Sequence, residues 1–455
     1  MKHLRFYTFA FLLFPMLSFA QWTSNATLSQ SRYHLRAATS GDKVIFAGGS
    51  TGGGFAPSNK VDILNTSSNH WSNTTLPGGG ASLPGVVAAE NKIYVAGGVN
   101  FNSTIERVAI DIYDISDSTW SLSQLSEPRF WVAAAAANGK VIFAGGGDIT
   151  SLQTLNTIQS TTVDLYDIEA DTWSVAQLSE ARLGASALAI GDKIYIAGGF
   201  VSFSGLTFSK RIDIYDTNTG LWTIDSLSQA RGEMAAFYSG GKAVFAGGYS
   251  EGDVSSDVVD ILDVATGTWS IEHLSKARGS ISGGVVCDKI YFCGGAQLSN
   301  NYITMSESRV DIYDPATGVW STDELLLKTA ESASAVAGNT LYVAGGFDPN
   351  SGTLNEVQEY TCLSTGLTPV SNVPLLGITP NPANENISVD FSGQIIDNQI
   401  INIEIFDMSG HSVAIFEYCK NNDILPINKL LPGIYVVKAS SENENFTGRF
   451  LKIGW

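Results

Sequence analysis

Arg32, Arg129, Arg182, Arg231 and Arg278 each stand four residues after a leucine and immediately before a stretch of mostly small residues. A guanidinium is a planar fork of donors that grips a carboxylate or another acceptor-rich group through parallel hydrogen bonds. Five of them at equivalent places would form a partial ring suited to such a ligand. The same fork can instead tie down backbone carbonyls or an Asp in a neighbouring repeat, and the residue types leave both readings open. Tyr33 and His34 follow Arg32, and Phe130 and Trp131 follow Arg129. Aromatics at a recess stack on sugar rings or anchor peptides, and the alternative is core packing. These nine residues are the candidate ligand-binding set.

Catalytic chemistry finds less support. Outside the N-terminal segment the histidines are His34, His70, His273 and His411, too scattered to form a metal or nucleophile site, and only His34 opens a strand near the arginines. Cys287, Cys293, Cys362 and Cys419 lack the paired spacing of a zinc site. Cys287 and Cys293 fall in adjacent strands, either as a disulfide or, the favoured reading, as buried thiols. No metal or cofactor is therefore expected. Carboxylates are plentiful enough to hide an acid and base pair, but no spacing selects one.

The elements that must position these groups are read from three recurring marks. Gly doublets stand at Gly48, Gly97, Gly145, Gly198, Gly247, Gly294 and Gly345 with the glycine after each. A Trp precedes each doublet by 25 or 26 residues: Trp22, Trp71, Trp120, Trp173, Trp222, Trp269 and Trp320. An aromatic or Leu (Leu64, Tyr113, Tyr166, Tyr215, Leu262, Tyr313) stands seven residues before each Trp but the first, and Tyr360 holds that place with no Trp after it. Each unit thus reads as four short strands, the innermost made of small residues. The seven-residue step is a tight hairpin opened by Asp114, Asp167, Asp216, Asp263 and Asp314. The tryptophans are expected between neighbouring units, each burying on the order of 200 Å².

Seven doublets in phase with seven tryptophans resemble the kelch repeat over about residues 21–365. The resemblance implies a seven-bladed β-propeller, with four-stranded blades set radially around a channel. Trp22 has no unit before it and Tyr360 no Trp after it, so the N-terminal strand is expected to complete the seventh blade and close the ring. The interval from the second Gly to the aromatic varies from 14 to 20 residues, so insertions collect in one loop per blade, on one face. The longest run about Gly147–Thr162 and Ala296–Arg309. Kelch-like copper-radical oxidases need paired central histidines, which this chain cannot supply. The run from Asp314 to Trp320 is similar to a sialidase Asp-box, but Gly318 lies four residues after the Asp where the box requires two. A small-sugar enzyme of the kelch sialic-acid mutarotase type stays as the enzyme alternative, and a surface-layer structural protein as a third.

The chain opens with Lys2 and Arg5 ahead of an apolar run from Phe6 to Phe19, with Ser18 and Ala20 placed for cleavage before Gln21. Residues 1–20 read as a secretory signal peptide, the run being too short to span a bilayer. Without it, 24 basic residues face 44 acidic ones, a net charge of −20. A nucleic-acid partner is excluded on that balance. Residues 366–376 read as a linker around Pro369 and Pro374. Residues 377–455 alternate as strands around Ile387, Ile403 and Ile434, with turns at Ser409-Gly410 and Pro432-Gly433, consistent with a small immunoglobulin-like β-sandwich. This segment resembles the C-terminal sorting domain of type IX secretion substrates. That implies contact with the type IX machinery, then release or attachment at the outer-membrane surface of a Gram-negative bacterium. The leading functional expectation is an all-β exported protein that binds a glycan or protein ligand on the loop face of its propeller, with no transmembrane segment in the mature chain.

Overall fold

A computed structural model describes residues 22–52, 56–100, 105–151, 156–202, 205–252, 254–299, 302–362, 377–381, 383–390, 401–407, 412–420, 422–440 and 445–452. The signal segment 1–20 and the linker 366–376 lie outside the described residues. The chain forms two compact units, residues 1–363 and 364–455.

The first unit contains seven antiparallel blades. The first comprises Arg36–Ser40, Lys43–Ala47, Lys60–Asn65 and His70–Thr75, ordered from the centre outward. The innermost strands of the others are Gly85–Ala89, Ala133–Ala137, Ser186–Ile190, Ala235–Ser239, Ser282–Val286 and Ala333–Ala337. Each innermost strand lies against those of its two neighbours, and the seventh lies against the first. The small side chains of these strands let the blades converge there. The ring closes through Trp22–Thr27, which pairs antiparallel with Glu356–Thr361 of blade seven in the register Trp22↔Tyr360. The first and last segments of the propeller thus share one sheet, and no blade is left a strand short.

Between successive blades lie seven apolar clusters, each containing one of the seven tryptophans. Trp222 of blade four, for example, packs with Ile142, Val163 and Leu165 of blade three and Ile194 of its own blade. Trp22 is 3% exposed and fills the same place between blades six and seven beside Tyr360, Tyr291 and Leu341. At the hairpins the expected Asx turns are present: Asp216 Oδ1 accepts from the Asn218 and Thr219 amides, and Asp314 from Ala316 and Thr317.

The doublet glycines are required for two reasons, seen at Gly345-Gly346. Both have positive φ (64° and 102°), and a Cβ on Gly345 would come 2.5 Å from the carbonyl oxygen of Arg32 in the next blade. The Gly346 amide donates to that same oxygen at 2.8 Å. Equivalent bonds run from the second glycine of every blade to Ala81, Arg129, Arg182, Arg231, Arg278 and Thr329. Each doublet is therefore a backbone-to-backbone joint between blades.

The cysteines differ from expectation. Cys287 bonds Cys362, with their Cα atoms 6.3 Å apart, and Cys293 is a buried free thiol. The sheet register explains why: Val286 pairs with Lys289, so Cys287 sits in the turn with φ 47°, whereas Cys293 lies at the far end of its strand opposite Ser282. The bond ties the inner hairpin of blade six to the end of the third strand of blade seven.

The second unit has a three-stranded sheet (Gly377–Thr379, Asn386–Asp390, Ile424–Pro426) and a four-stranded one (Ser412–Cys419, Ile401–Phe406, Gly433–Ser440, Asn445–Lys452). They share a core that includes Ile378, Ile387, Val389, Ile403, Ile405, Leu425, Tyr435, Val437 and Phe450.

Candidate functional site

The five repeat arginines lead into the innermost strands, but their side chains turn away from any ligand. All are 0–1% exposed. Arg231 Nη1 donates to Gly247 O and Val258 O at 2.6 Å each, and Nη2 pairs with Asp260. Arg32 meets Gly48 O, Lys60 O and Asp62 in the same way. Arg129 pairs with Asp164, Arg182 with Asp213 and Arg278 with Asp311. Each Asp also accepts from the amide of a residue preceding the arginine, as Asp260 Oδ1 does from Ser228 at 3.0 Å. For Arg32, Arg129 and Arg231 these carbonyls include those of the doublet and of the third strand, while Arg182 reaches Ile196 O and Arg278 reaches Gly294 O and Phe292 O, so each guanidinium clamps its own blade, not the next one. The expectation that Arg32, Arg129, Arg182, Arg231 and Arg278 bind ligand is thereby corrected: a buried charge must be paired, and these are paired inside the frame.

The two exceptions support that reading. Blade two has Ala81 at the arginine position, and Arg107 arrives from elsewhere to meet Asp111, Gly78 O and Gly97 O. Blade seven has Thr329 there, bonded to Gly345 O, and Gln358 replaces the Asp. Where the cation is lost, so is its anion.

Phe130 and Tyr33 are likewise interior. Phe130 joins Leu83, Val99, Ile149, Leu183 and Phe200 in an apolar cluster beneath the loop hairpins, and Tyr33 packs against Phe347. Both belong to a repeated joint in which the residue after the arginine position bridges the residue after the doublet: Tyr33↔Ser50, Phe130↔Gly147 and five more. These bridges bring the loop hairpins and the heads of the innermost strands to the same end of the propeller.

The next residue in each blade stands at the head of the innermost strand. His34, Leu83, Trp131, Gly184, Glu233, Ser280 and Glu331 all adopt left-handed backbone, with φ from 51° to 61°. They are linked head to tail. The Leu83 amide donates to His34 O, Trp131 to Leu83 O, Gly184 to Trp131 O, Glu233 to Gly184 O, Ser280 to Glu233 O, and His34 to Glu331 O, at 2.9–3.2 Å. This girdle surrounds the mouth of a cavity of about 360 Å³ whose lining includes Arg36, Trp131, Gly184, Glu233, Ser280 and Glu331. Its volume is in the range of small-ligand sites, roughly 300–1,000 Å³.

The mouth has two unlike halves. Trp131 and Gly184 form an apolar arc, with Leu83 buried behind it in the cluster of Phe130. The Trp131 indole lies over Gly184, 3.3 Å from where a Cβ would stand, and against Phe200 with ring centroids 5.5 Å apart. Glu233, Ser280, Glu331 and His34 form the polar arc. Ser280 Oγ is 2.7 Å from Glu331 Oε1 and also touches Glu233 Oε2, while Tyr249 Oη lies 3.1 Å from it. His34 Nε2 is 3.4 Å from Glu331 Oε2, and His34 Nδ1 is buried with no hydrogen-bond partner.

One hydroxyl proton cannot serve two carboxylates at once, so a proton on one carboxyl completes the network, and Glu233 is the member of the pair that favours it. Burial, followed by the charge of Glu331, lifts its carboxyl well above the usual range. Burial holds the His34 imidazole below its ordinary value; the Arg36 charge acts in the same sense and Glu331 opposes it. Of the nine expected site residues, His34 and Trp131 stand in this girdle. Glu233, Ser280, Glu331 and Arg36 were missed, although a signal existed: counting two residues on from the arginine position in all seven units reaches every girdle residue.

Comparison with known proteins defines the class of each unit. The kelch motif model matches residues 181–224, which hold Arg182, the doublet at Gly198 and Trp222. The secretion system C-terminal sorting domain model matches residues 377–453. Kelch repeat-containing protein kel-10 of Caenorhabditis elegans is 30% identical over 169 residues, covering 35% of this chain and 28% of the relative. Kelch-like protein 25 of Xenopus tropicalis is 26% identical over 189 residues, covering 40% and 31%. The chain thus matches less than a third of the length of these relatives. The solved structure of YjhT superimposes with a TM-score of 0.50 at 16% identity, covering 61% of this chain and 93% of that one, a likeness of fold alone.

This chain is a kelch-repeat propeller protein with a C-terminal sorting domain of the type IX secretion system. That domain assigns it to the export route leading to secretion or to attachment at the outer-membrane surface of a Gram-negative bacterium, and implies interaction with the type IX machinery.

Proposed function

We propose that the exported propeller is a carbohydrate-binding protein whose ligand enters the channel mouth and rests on the girdle. The observation that carries this is the division of the mouth into an aromatic arc at Trp131 and Gly184 and a hydrogen-bonding arc at Glu233, Ser280 and Glu331. A sugar ring is amphipathic in the same way, with an apolar C–H face for an indole and hydroxyls for carboxyl and serine oxygens. A long protein epitope fits less well, because the recess narrows to a cavity of about 360 Å³. The acidic arc also argues against the carboxylate ligand that a ring of exposed arginines would have selected.

Glycan-array screening followed by calorimetry on the full chain and on Trp131→Ala tests this reading. The variant should keep its circular dichroism and melting temperature and lose most of its affinity, about thirtyfold for a 2 kcal/mol hot spot. Unchanged glycan binding by Trp131→Ala would overturn it.

A second reading is favoured by one observation, the meeting of the Glu233 and Glu331 carboxyls at the Ser280 hydroxyl, where burial raises Glu233 above the usual carboxylate range. Such a pair could act as general acid and general base on a small sugar, as the sugar-enzyme alternative requires. Chemical change of a bound glycan, followed by NMR, would favour this reading; an unaltered bound glycan favours the binding protein.

A further inference from the structure

We propose that the channel mouth selects glycans carrying a free amino group, with the sugar's ammonium replacing the proton that Glu233 and Glu331 hold between them. This rests on the carbohydrate reading above and names its substrate class.

Charge balance around the polar arc carries the argument. Facing Glu233 are the Glu331 carboxyl, the Arg36 guanidinium, the Ser280 hydroxyl and, behind the serine, the Tyr249 hydroxyl, and the His34 imidazole stands beside Glu331. The other arc, Trp131 and Gly184, brings no charge. With Glu233 protonated and His34 neutral, one carboxylate is balanced by Arg36 and the mouth is electrically neutral. A neutral sugar entering this site must hydrogen-bond to a pair that already satisfies itself. An ammonium brings three donors and one positive charge. If it takes the place of the Glu233 proton, both carboxylates become acceptors and the net charge of the mouth does not change. Charge-assisted hydrogen bonds of this kind are roughly twice as strong as neutral ones. Meanwhile Trp131 offers the sugar ring its stacking face, so a hexosamine residue with a free amine matches both arcs. An N-acetylated residue lacks the charge, and an acidic sugar would add a third carboxylate beside the pair.

The exchange is stoichiometric: the amine enters protonated, the Glu233 O–H bond is broken, and one proton leaves to solvent. Two measurements on the full chain follow. Calorimetry with chitosan oligosaccharides in buffers of different ionisation enthalpy should reveal release of about one proton per site. Affinity should also rise with pH, by up to roughly tenfold per pH unit, over the range in which the free amine is charged and Glu233 keeps its proton. Fully acetylated chitin oligosaccharides should bind at least about tenfold more weakly than chitosan, release no proton and show no such pH dependence. Glu233→Gln fixes the pair in its protonated hydrogen-bonding pattern. It should lose the preference for the free amine and the proton release. If that variant folds poorly, the proton count on the unaltered protein still decides. Equal or tighter binding of the acetylated chains, or no proton release, would overturn the proposal and leave the carbohydrate reading standing. Failure of every glycan on the array, with these two included, would remove the carbohydrate reading itself.

Discussion

Replacing Arg231 with Ala separates a frame residue from a ligand residue. In the folded protein its guanidinium is fully buried, donates to Gly247 O and Val258 O at 2.6 Å, and pairs with Asp260, which also holds the Ser228 amide. Truncation leaves the Asp260 charge buried without its cation and removes a donor from two carbonyls, of which Val258 O keeps the Gly247 amide at 3.0 Å. Breaking a buried pair from one side costs about 3–5 kcal/mol. Unfolding entropy of about 2.1 cal/mol/K per residue, taken over residues 22–362, converts that cost to a fall of about 4–7 °C in melting temperature. Arg231→Met with Asp260→Leu removes both charges and should recover part of the loss, the remainder reflecting the Ser228 amide and the two carbonyls. Differential scanning fluorimetry and calorimetry on both variants supply the numbers. A fall under about 1 °C for Arg231→Ala, together with lost glycan binding, would refute the clamp and restore the arginine to the ligand site.

Deleting residues 22–27 should cost more than the roughly 3–5 kcal/mol expected for truncating a core aromatic alone, because blade seven loses a strand as well as Trp22; a melting temperature unchanged within error would contradict closure through that strand. Replacing Cys287 and Cys362 with Ser should lower stability by about 4 kcal/mol, the chain-entropy value for a loop of this length, and thiol titration of the denatured, unreduced mature protein should find two free cysteines, whereas four would show the Cys287–Cys362 bond is not made.

The blades are legible in the sequence because a propeller uses the same solution seven times. Each doublet, each Trp and each hairpin Asp answers a fixed steric or hydrogen-bonding demand, so the pattern repeats. Trp22 and Tyr360, each lacking its partner, even reveal the closure. The arginines repeat for the same reason, and there the pattern misleads if repetition is taken for a binding ring. Their role could have been read from their partners. Asp62, Asp111, Asp164, Asp213, Asp260 and Asp311 recur in the third strand, about 30 residues after each arginine position, and Gln358 replaces the Asp in the one blade where Thr329 replaces the arginine. The disulfide was not legible, because Cys287 and Cys362 are 75 residues apart and meet only through the junction of blades six and seven.

The position two residues after the arginine is silent in the pattern because its residue differs from blade to blade. His, Leu, Trp, Gly, Glu, Ser and Glu succeed one another around the mouth with no shared chemistry. What they share is backbone: a left-handed φ, which costs a non-glycine residue roughly 1–2 kcal/mol, offset by the amide-to-carbonyl bonds that link neighbouring members of the girdle. Those bonds use no side chain, and the arginine clamp two residues earlier is closed on itself. A substitution at Trp131 or Glu233 therefore changes what the mouth presents without disturbing the joints between blades. Recurring positions carry the ring, and in the proposed reading the one variable position per blade carries recognition, so the irregular residues next to the most regular ones are where a glycan would be read.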